Sequence, residues 1–511
     1  MIIDSFFADL GTFFIKKSVV SKKITNFAAE STNFFMKKKL FLLSLMIVSA
    51  VASMTAGGLM TNTNYHIAFD RMMARGATFD IDAAYSNPAG TVWGQQGWQL
   101  SLNFQKPWQN RDIETSVPGF LGSDFNKKYE GVASAPVVPA LFAAYAKYRW
   151  AVSGMIGIVG SGGYVDYDEG IPMLNVPIMT KLFATNPALI ANTTYTLDSK
   201  MEGKQYIFGG QVNFAYRLTG FLSAAVGFRA NYYDGFNRGH VLATATNQTI
   251  ITALGGNSQL INLQLDCPQK GWGFAPIVGV DFHQGPLTVA ARYEFRTKIN
   301  TENSTEILNV NGTDVKALAE ANGTAATVAA LTPQLGADMA GKLAAYMPNE
   351  KTRYDMPSLL SVAVGYEFTD KLRATAEYHF FDDKNAKMAG NRQDELTGGT
   401  NEFLLGVEYD INDKFTVSCG GQRTDYGLAD NYQQNTSFAC DSWSVGLGGA
   451  WNVTDKIRLN AGYFITIYSD YDKSFAAGTP GTGGYYATGY AAKETYSRTN
   501  NVIGLGIDYK F

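Results

Sequence analysis

The stretch "DKIRLNAGYFITIYSD", Asp455–Asp470, decides the fold. Ile457, Leu459, Ala461, Tyr463, Ile465 and Ile467 fall on one side of an extended chain; Arg458, Asn460, Gly462, Phe464, Thr466 and Tyr468 fall on the other. A period of two held over a dozen residues is a strand with two different faces. The first face suits lipid, the second an enclosed interior. The same device recurs: "FTDKLRATAEY", "INDKFTVSCGG" and "VTDKIRLNAGY" put an Asp-Lys pair at Asp370, Asp413 and Asp455, 43 and 42 residues apart. That spacing holds two strands of about 11 residues and one long loop. Thr or Asn followed by Asp-Lys is a tight polar turn, and such a turn fixes strand register.

Working outward, alternation predicts fourteen strands, near 98–105, 140–149, 151–160, 204–216, 221–233, 272–282, 286–297, 358–368, 371–381, 402–411, 414–424, 442–453, 456–468 and 500–511. The number is even, as bacterial single-chain barrels require, and leaves both barrel ends on the periplasmic side. The expected fold is therefore all-β: a 14-stranded antiparallel transmembrane β-barrel over 98–511, in the outer membrane, with short periplasmic turns and seven long extracellular loops. A mean hydropathy of -0.10 excludes a bundle of apolar helices. A soluble β-sandwich also alternates, but explains neither the export signal described next nor the 42-residue hairpin period.

The only long apolar run is "LFLLSLMIVSAVA", Leu40–Ala52, preceded by Met36 and three lysines and followed by small residues. Basic, apolar and small-residue parts in that order make a secretory signal over 36–56, with cleavage after Ala52 or Ala56. Residues 1–35 then form an upstream extension. Removing the first 56 residues takes away seven lysines and three acids, and leaves the chain about seven charges negative. Such a surface does not bind nucleic acid by charge.

About forty residues, 57–97, separate the signal from the first strand and have weak strand character. Fourteen strands enclose a lumen unless something fills it, so this segment is expected to fold back as an N-terminal hatch (plug). Within it "DAAYSNPAGTVWG", Asp82–Gly94, holds Asn87, Pro88 and Ala89 before Gly90; proline fixes one φ and glycine permits a sharp reversal.

With "AGGLMTN" at Ala56–Asn62, this "NPA" at Asn87–Ala89, fourteen strands and a terminal Phe511, the chain resembles the FadL-type long-chain fatty-acid transporters, a family that includes aromatic-hydrocarbon channels. The resemblance covers the mature chain in architecture, but in motif only the hatch and the last strand. It implies uptake of hydrophobic compounds: an apolar ligand lands on extracellular loops, enters a pocket by the hatch, and leaves sideways between strands into the bilayer. Apolar ligands gain about 0.8 kcal/mol per CH₂ kept from water, which favours a dry path over a water-filled pore. Relatives that serve as binding or shuttle proteins in secretion share the motif, and a general porin is the remaining alternative. The C-terminal "GLGIDYKF" puts Leu505, Ile507, Tyr509 and Phe511 on one face, resembling the signature read by the barrel-assembly machinery, with Gly504 where that signature prefers a polar residue.

No enzyme is expected. His66, His240, His283 and His379 are scattered and lack a catalytic motif, and no cofactor or metal constellation is present in the sequence. Cys267, Cys419 and Cys440 make no disulfide framework, although a Cys267–Cys440 bridge stays open. Alternation assigns Arg229, Arg292, Glu294, Arg296, Arg373 and Glu377 to the interior, because arginine facing lipid costs roughly 2–4 kcal/mol at mid-depth. Arg229 and Arg292 lie near mid-height and are the candidates for a ligand headgroup. The Ala- and Leu-rich loop Val315–Met347 is expected to form two short helices broken at Gly323 and Pro333. The implied partners are a hydrophobic small molecule, outer-membrane lipid and the assembly machinery, with the chain a monomer.

Overall fold

The computed structural model describes residues 65–120, 125–134, 137–185 and 194–511. The upstream extension, the signal peptide and the start of the expected hatch, residues 57–64, lie outside the described residues. Four of the six short turns begin on a side chain that caps them. Thr219, Thr369, Asn412 and Thr454 accept hydrogen bonds from the amides two and three residues on, at 2.9–3.2 Å. These local bonds reverse the chain in four residues, so adjacent strands start in fixed register.

The strands so connected are β1 (Gly97–Ser116), β2 (Lys128–Ser134, resumed at Val138–Lys147), β3 (Trp150–Tyr167), β4 (Tyr195–Arg217), β5 (Leu222–Ala245), β6 (Gln259–Gln284), and β7 (Leu287–Glu294, resumed at Asn300–Asn303 and Ile307–Val310). They continue as β8 (Lys351–Arg353, resumed at Leu359–Glu367), β9 (Leu372–Phe381), β10 (Thr400–Asp410), β11 (Phe415–Asp425), β12 (Ser442–Asn452), β13 (Ile457–Tyr468) and β14 (Ala492–Lys510). Every neighbouring pair is antiparallel, and β14 returns to β1 in register from Gln99 against Lys510 to Ser116 against Lys493. The sheet thus closes on itself with fourteen strands. The short turns and both barrel ends share one rim, the turn end, which faces the periplasm; the seven long connections share the other, the loop end.

Outward positions are apolar and exposed, as in Leu505, Val445 and Ile467, while alternate residues are buried. Exposed apolar side chains in a closed ring are stable only against lipid. This is an outer-membrane β-barrel. Several strands run well past their expected ends: β1 reaches Ser116 instead of 105, β5 reaches Ala245 instead of 233, and β6 starts at Gln259 instead of 272. Above the lipid band the outward face turns polar, with Asn110, Lys204, Asp234 and Arg238, while the inward face of β5 and β6 turns apolar with Val241, Leu263 and Leu265, so the lipid-facing pattern ends where the ladder continues.

Residues 65–96 run inside the ring. They form α1 (Ile67–Met72), α2 (Ala83–Ser86) and a 3₁₀ turn, Pro88–Val92. All six residues of α1 are buried. Room for it comes from glycines on the interior face of β10–β14. A Cβ at Gly406 or Gly420 would overlap the Met72 carbonyl, at Gly446 the Asp70 carbonyl, and at Gly504 the Asp70 carboxylate and Ile67. At Gly462 it would stand 2.9 Å from the Asp70 Cβ. The missing side chains form a trough one helix wide.

Two expectations on the loops and thiols are settled here. Val315–Met347 carries three helices, α4 (Val315–Asn322), α5 (Thr324–Leu335) and α6 (Ala337–Leu343), after a helix in the second loop, α3 (Pro172–Thr185). The breaks fall at Gly323 and Gly336, with φ of 81° and 80°, and not at Pro333, which sits within α5. Glycine takes that left-handed conformation freely, so Gly336 ends the helix and Pro333 does not. All three cysteines are free; Cys267 accepts from Thr305 Oγ1 and Cys440 Sγ faces the Tyr496 carbonyl.

Candidate ligand path

At the loop end, α3, α5 and α6 meet the first and seventh loops around a groove of about 480 Å³. Phe120, Phe183, Leu335, Met339 and Tyr490 line it. Phe120 packs against Phe125, Phe183 and Tyr490 with ring centroids 5.0, 6.0 and 5.5 Å apart, so three loops share one aromatic cluster. Thr180, Lys181 and Thr488 stand in the same lining, and the aromatic and aliphatic walls beside them accept an apolar molecule without asking it for hydrogen bonds.

Below lies an apolar interior: Tyr65, Phe69, Met73 and Tyr85 of the N-terminal segment pack with Phe142, Met155 and Val159 of the wall. That segment is tied down by buried polar contacts. Glu377 accepts from the Arg75 and Gly76 amides, both at 2.8 Å, and is held in turn by Ser361 at 2.9 Å and by His379. Arg71 pairs with Glu408 and donates to Ser418 Oγ at 2.7 Å. His66 meets Asp508 at 3.0 Å, and the Ile67 amide donates to Asn103 at 3.1 Å. Asp70 has one oxygen on Gln105 Nε2 at 2.7 Å and the other without a hydrogen-bond partner. Burial pushes its carboxyl well above the ordinary carboxylate range, against the opposing hydrogen bond from Gln105.

Asn87, Pro88 and Ala89 lie in this segment against β4–β6. Asn87 ends α2 and caps the 3₁₀ turn: its Oδ1 accepts from the Ala89 amide at 3.3 Å, and its Nδ2 donates to the Val280 carbonyl at 3.0 Å. Pro88 is the first residue of that turn, where its missing N–H is harmless. The Ala89 carbonyl accepts from Ser223, which also takes the Trp93 indole N–H. A Cβ at Gly279 would overlap Asn87 Oδ1, so Gly279 leaves the space this amide fills.

Arg229 and Arg292 are both buried and both pair with Glu294, and both guanidinium groups lie over the Tyr85 ring, at 5.3 and 5.1 Å. Arg229 also reaches Gln211, which donates to the Ala84 carbonyl at 2.9 Å. The structure brings the two together: one carboxylate serves both guanidinium groups, and Arg292 Nε and Nη1 are buried without a hydrogen-bond partner.

The wall has one long interruption. β2 and β3 pair from Leu141–Lys147 with Trp150–Ile156, and again at Gly131 with Tyr167 and Val132 with Asp166. Among the described residues no rung joins them over 157–165, and the β3–β4 ladder shifts register twice in the same stretch. Val138, Ala140, Ile158 and Val159, which flank the gap, belong to the apolar interior cluster.

No family model matches the chain, and no curated protein matches it in sequence. Solved structures do match. A FadL homologue from Pseudomonas aeruginosa superposes with a TM-score of 0.60 at 15% identity, covering 89% of this chain and all of that one. The fold is that of the FadL-type outer-membrane transporters. A deletion mutant of the TodX monoaromatic hydrocarbon channel follows, with a TM-score of 0.50, 12% identity and coverage of 88% and 99%; the Pseudomonas putida toluene transporter TodX gives 0.48, 13%, 90% and 100%.

In this FadL-type barrel the residues that seat the N-terminal segment are the ones sequence reading missed. Glu408 and Asp508 are separated from their partners by 337 and 442 residues, beyond any local pattern. One signal was available: Gly406, Gly420, Gly446, Gly462 and Gly504 all fall on the interior parity of the last five strands. The departure at Gly504 has its cause there, since Asp70 and Ile67 occupy the position of its side chain.

Proposed function

We propose that the protein is an outer-membrane channel for uptake of hydrophobic compounds, in which residues 57–97 act as a hatch and the ligand leaves sideways. One observation carries the reading: the apolar interior cluster includes Val138, Ala140, Ile158 and Val159, which border the unpaired stretch between β2 and β3. The aromatic groove at the loop end supports it as the landing surface. A lumen crossed by a buried, many-bonded segment argues against a general porin. In this reading Arg229 and Arg292 hold the hatch through Tyr85 and Glu294, and meet a ligand head only once the hatch shifts. Long-chain fatty acids and small aromatics, the latter carried by the TodX channel, are the ligand classes to try.

The gap supplies the test. A Cβ at Gly157 would lie 3.4 Å from that of Ala140, close to the spacing a disulfide needs. Cells producing Ala140→Cys/Gly157→Cys should take up radiolabelled dodecane or toluene only under reducing conditions, while the parent is indifferent to reductant. Full uptake by the oxidised, demonstrably cross-linked variant excludes exit at this gap. Steady ionic conductance of the parent in planar bilayers favours a porin instead.

A further inference from the structure

Between Phe282 and Trp272 the outer face of β6 carries only apolar side chains, Val280, Val278, Pro276 and Phe274. These ten residues of strand measure roughly 33 Å, or roughly 25 Å of height at the usual tilt, which is the thickness of the lipid band. Trp272, 60% exposed, therefore marks the upper edge of the hydrocarbon on the loop-end side, the outer leaflet. With the Tyr232 ring 4.7 Å away it belongs to the aromatic belt at headgroup level, and on β7 the exposed Tyr293 and Phe295 end the same band.

Above this belt the surface is locally basic. Trp272 faces Asn300 of β7, which faces Arg353 of β8; the next outward rung is Lys270, Glu302 and Lys351. Lys298, exposed between buried Thr297 and Ile299, precedes Asn300 on the same face. The two rungs and Lys298 thus hold four cations and one acid, in a mature chain about seven charges negative. Glu302 reaches Lys351 at 3.5 Å, Arg353 is taken by Asp355, and Asp234 of β5, opposite Lys270, is taken by Lys204 at 2.6 Å. Lys270 and Lys298 are exposed and, among the described residues, form no ion pair. Beside Trp443 on another part of the wall, Arg423 stands between Asp425 and Asp441, so the excess of base is local to β6–β8.

Lysines at the edge of a bilayer extend their ammonium groups to headgroup level, where phosphate is the matching anion. From Lys298 to the rung of Lys270 and Lys351 is four residues of β7, roughly 13 Å along the strand. A single phosphate serves one end of that span; two phosphates carried at opposite ends of one headgroup serve both. Asn300 stands between, with an exposed amide that can bond hydroxyls.

We propose that the outer face of β6–β8 above Trp272 binds one molecule of the bis-phosphorylated glucosamine lipid of the outer leaflet, lipid A. One phosphate lies on Lys298 and the other on Lys270 with Lys351, the sugar hydroxyls meet Asn300, and the acyl chains lie against Trp272, Phe274 and Phe295. This contact is independent of what the barrel carries.

The test titrates the purified full chain in neutral detergent with diphosphoryl lipid A and with monophosphoryl lipid A, read by native mass spectrometry. The parent should prefer the diphosphoryl form. Lys270→Gln/Lys298→Gln should weaken that form about tenfold or more and remove the preference. Lys371→Gln/Lys456→Gln, which removes the same charge at the turn end, should change neither, and both variants should keep heat-modifiable mobility. Unchanged binding of diphosphoryl lipid A by Lys270→Gln/Lys298→Gln overturns the site, as does an equal loss in the turn-end variant. Cardiolipin bound as tightly, and lost on the same substitution, makes this a site for any bis-phosphate lipid and overturns the glycolipid assignment. Displacement by equimolar pyrophosphate makes it an inorganic-anion site and overturns the lipid assignment. Binding of neither form by the parent overturns the proposal outright.

Discussion

Replacing Gly420 by Ala should unseat the hatch and leave the barrel intact. Gly420 pairs with Gly406 on one side and Gly446 on the other, in ordinary extended backbone that alanine adopts without strain. The new methyl would stand 2.5 Å from the Met72 carbonyl carbon, and closer still to its oxygen. Ordinary carbon contacts are about 3.5–4.0 Å, so the end of α1 must retreat by at least about 1 Å. That shift strains the Arg71 contacts to Glu408 and Ser418 and the two amide bonds to Glu377. Charge-assisted bonds are worth about 1.5–3 kcal/mol each, so losing two costs on the order of 3–6 kcal/mol of docking. At 1.4 kcal/mol per factor of ten, the undocked fraction rises by a hundredfold or more, roughly. Single-channel recordings in planar bilayers should then show openings absent from the parent, with heat-modifiable mobility in gels retained. Gly421→Ala is the control: on the same strand but the outer face, its Cβ meets nothing nearer than the Ser444 carbonyl at 3.5 Å. If Gly420→Ala is as silent as Gly421→Ala, the glycine trough does not position the segment and the reasoning fails.

Asn87→Ala removes the bonds to Val280 and Ala89 and should loosen the hatch locally by about 1–3 kcal/mol, read as faster proteolysis within residues 65–96 of folded barrel. Gly279→Ala should reproduce that phenotype, since its methyl would displace the Asn87 side chain. Asp70 ionises with difficulty in its buried site, so it destabilises the folded state increasingly as pH rises from its ordinary value, near 4, toward its raised one. Asp70→Asn should therefore melt higher than the parent at pH 8 and much as the parent does at pH 4; a parent whose midpoint is flat across that window counts against this. Asp281, buried on β6 with neither carboxylate oxygen bonded, should likewise gain thermal stability on replacement by Asn, and a loss would reveal an unrecognised partner.

How much of this was legible follows from what imposes the pattern. Lipid outside and protein inside force alternation, so all fourteen strands could be placed, and Asn412 or Thr454 before Asp-Lys marked the turns. Above the bilayer that force vanishes, and β5 and β6 continue by a dozen residues with the pattern turned over, Val241, Leu263 and Leu265 facing inward and Arg238, His240 and Gln264 outward. Gly323 was readable as a helix break because a left-handed residue is a local requirement; Pro333 misled because a proline near the end of a helix is tolerated when a following glycine does the stopping. Arg229 and Arg292 were correctly placed on the interior, but their engagement with Glu294 and Tyr85 depends on strand register and on a segment far away in the chain. The gap between β2 and β3 leaves no mark in composition at all, since unpaired and paired strand residues read alike.

The seat of α1 also constrains the order in which the molecule can be put together. Its trough is built from the last five strands to leave the ribosome, whereas α1 itself precedes the first strand. Hairpins joined by four-residue turns close early at little entropic cost, but the contacts of His66 with Asp508 and of Arg71 with Glu408 span nearly the whole polypeptide. Gly97 leads straight from this segment into β1, whose other edge receives β14, and the seat uses Asn103 of β1 with Asp508 of β14, so it is complete only when that seam shuts. Docking therefore follows or accompanies closure, and the segment, tethered at the turn-end rim, enters or leaves a closed barrel through that end without opening a ladder.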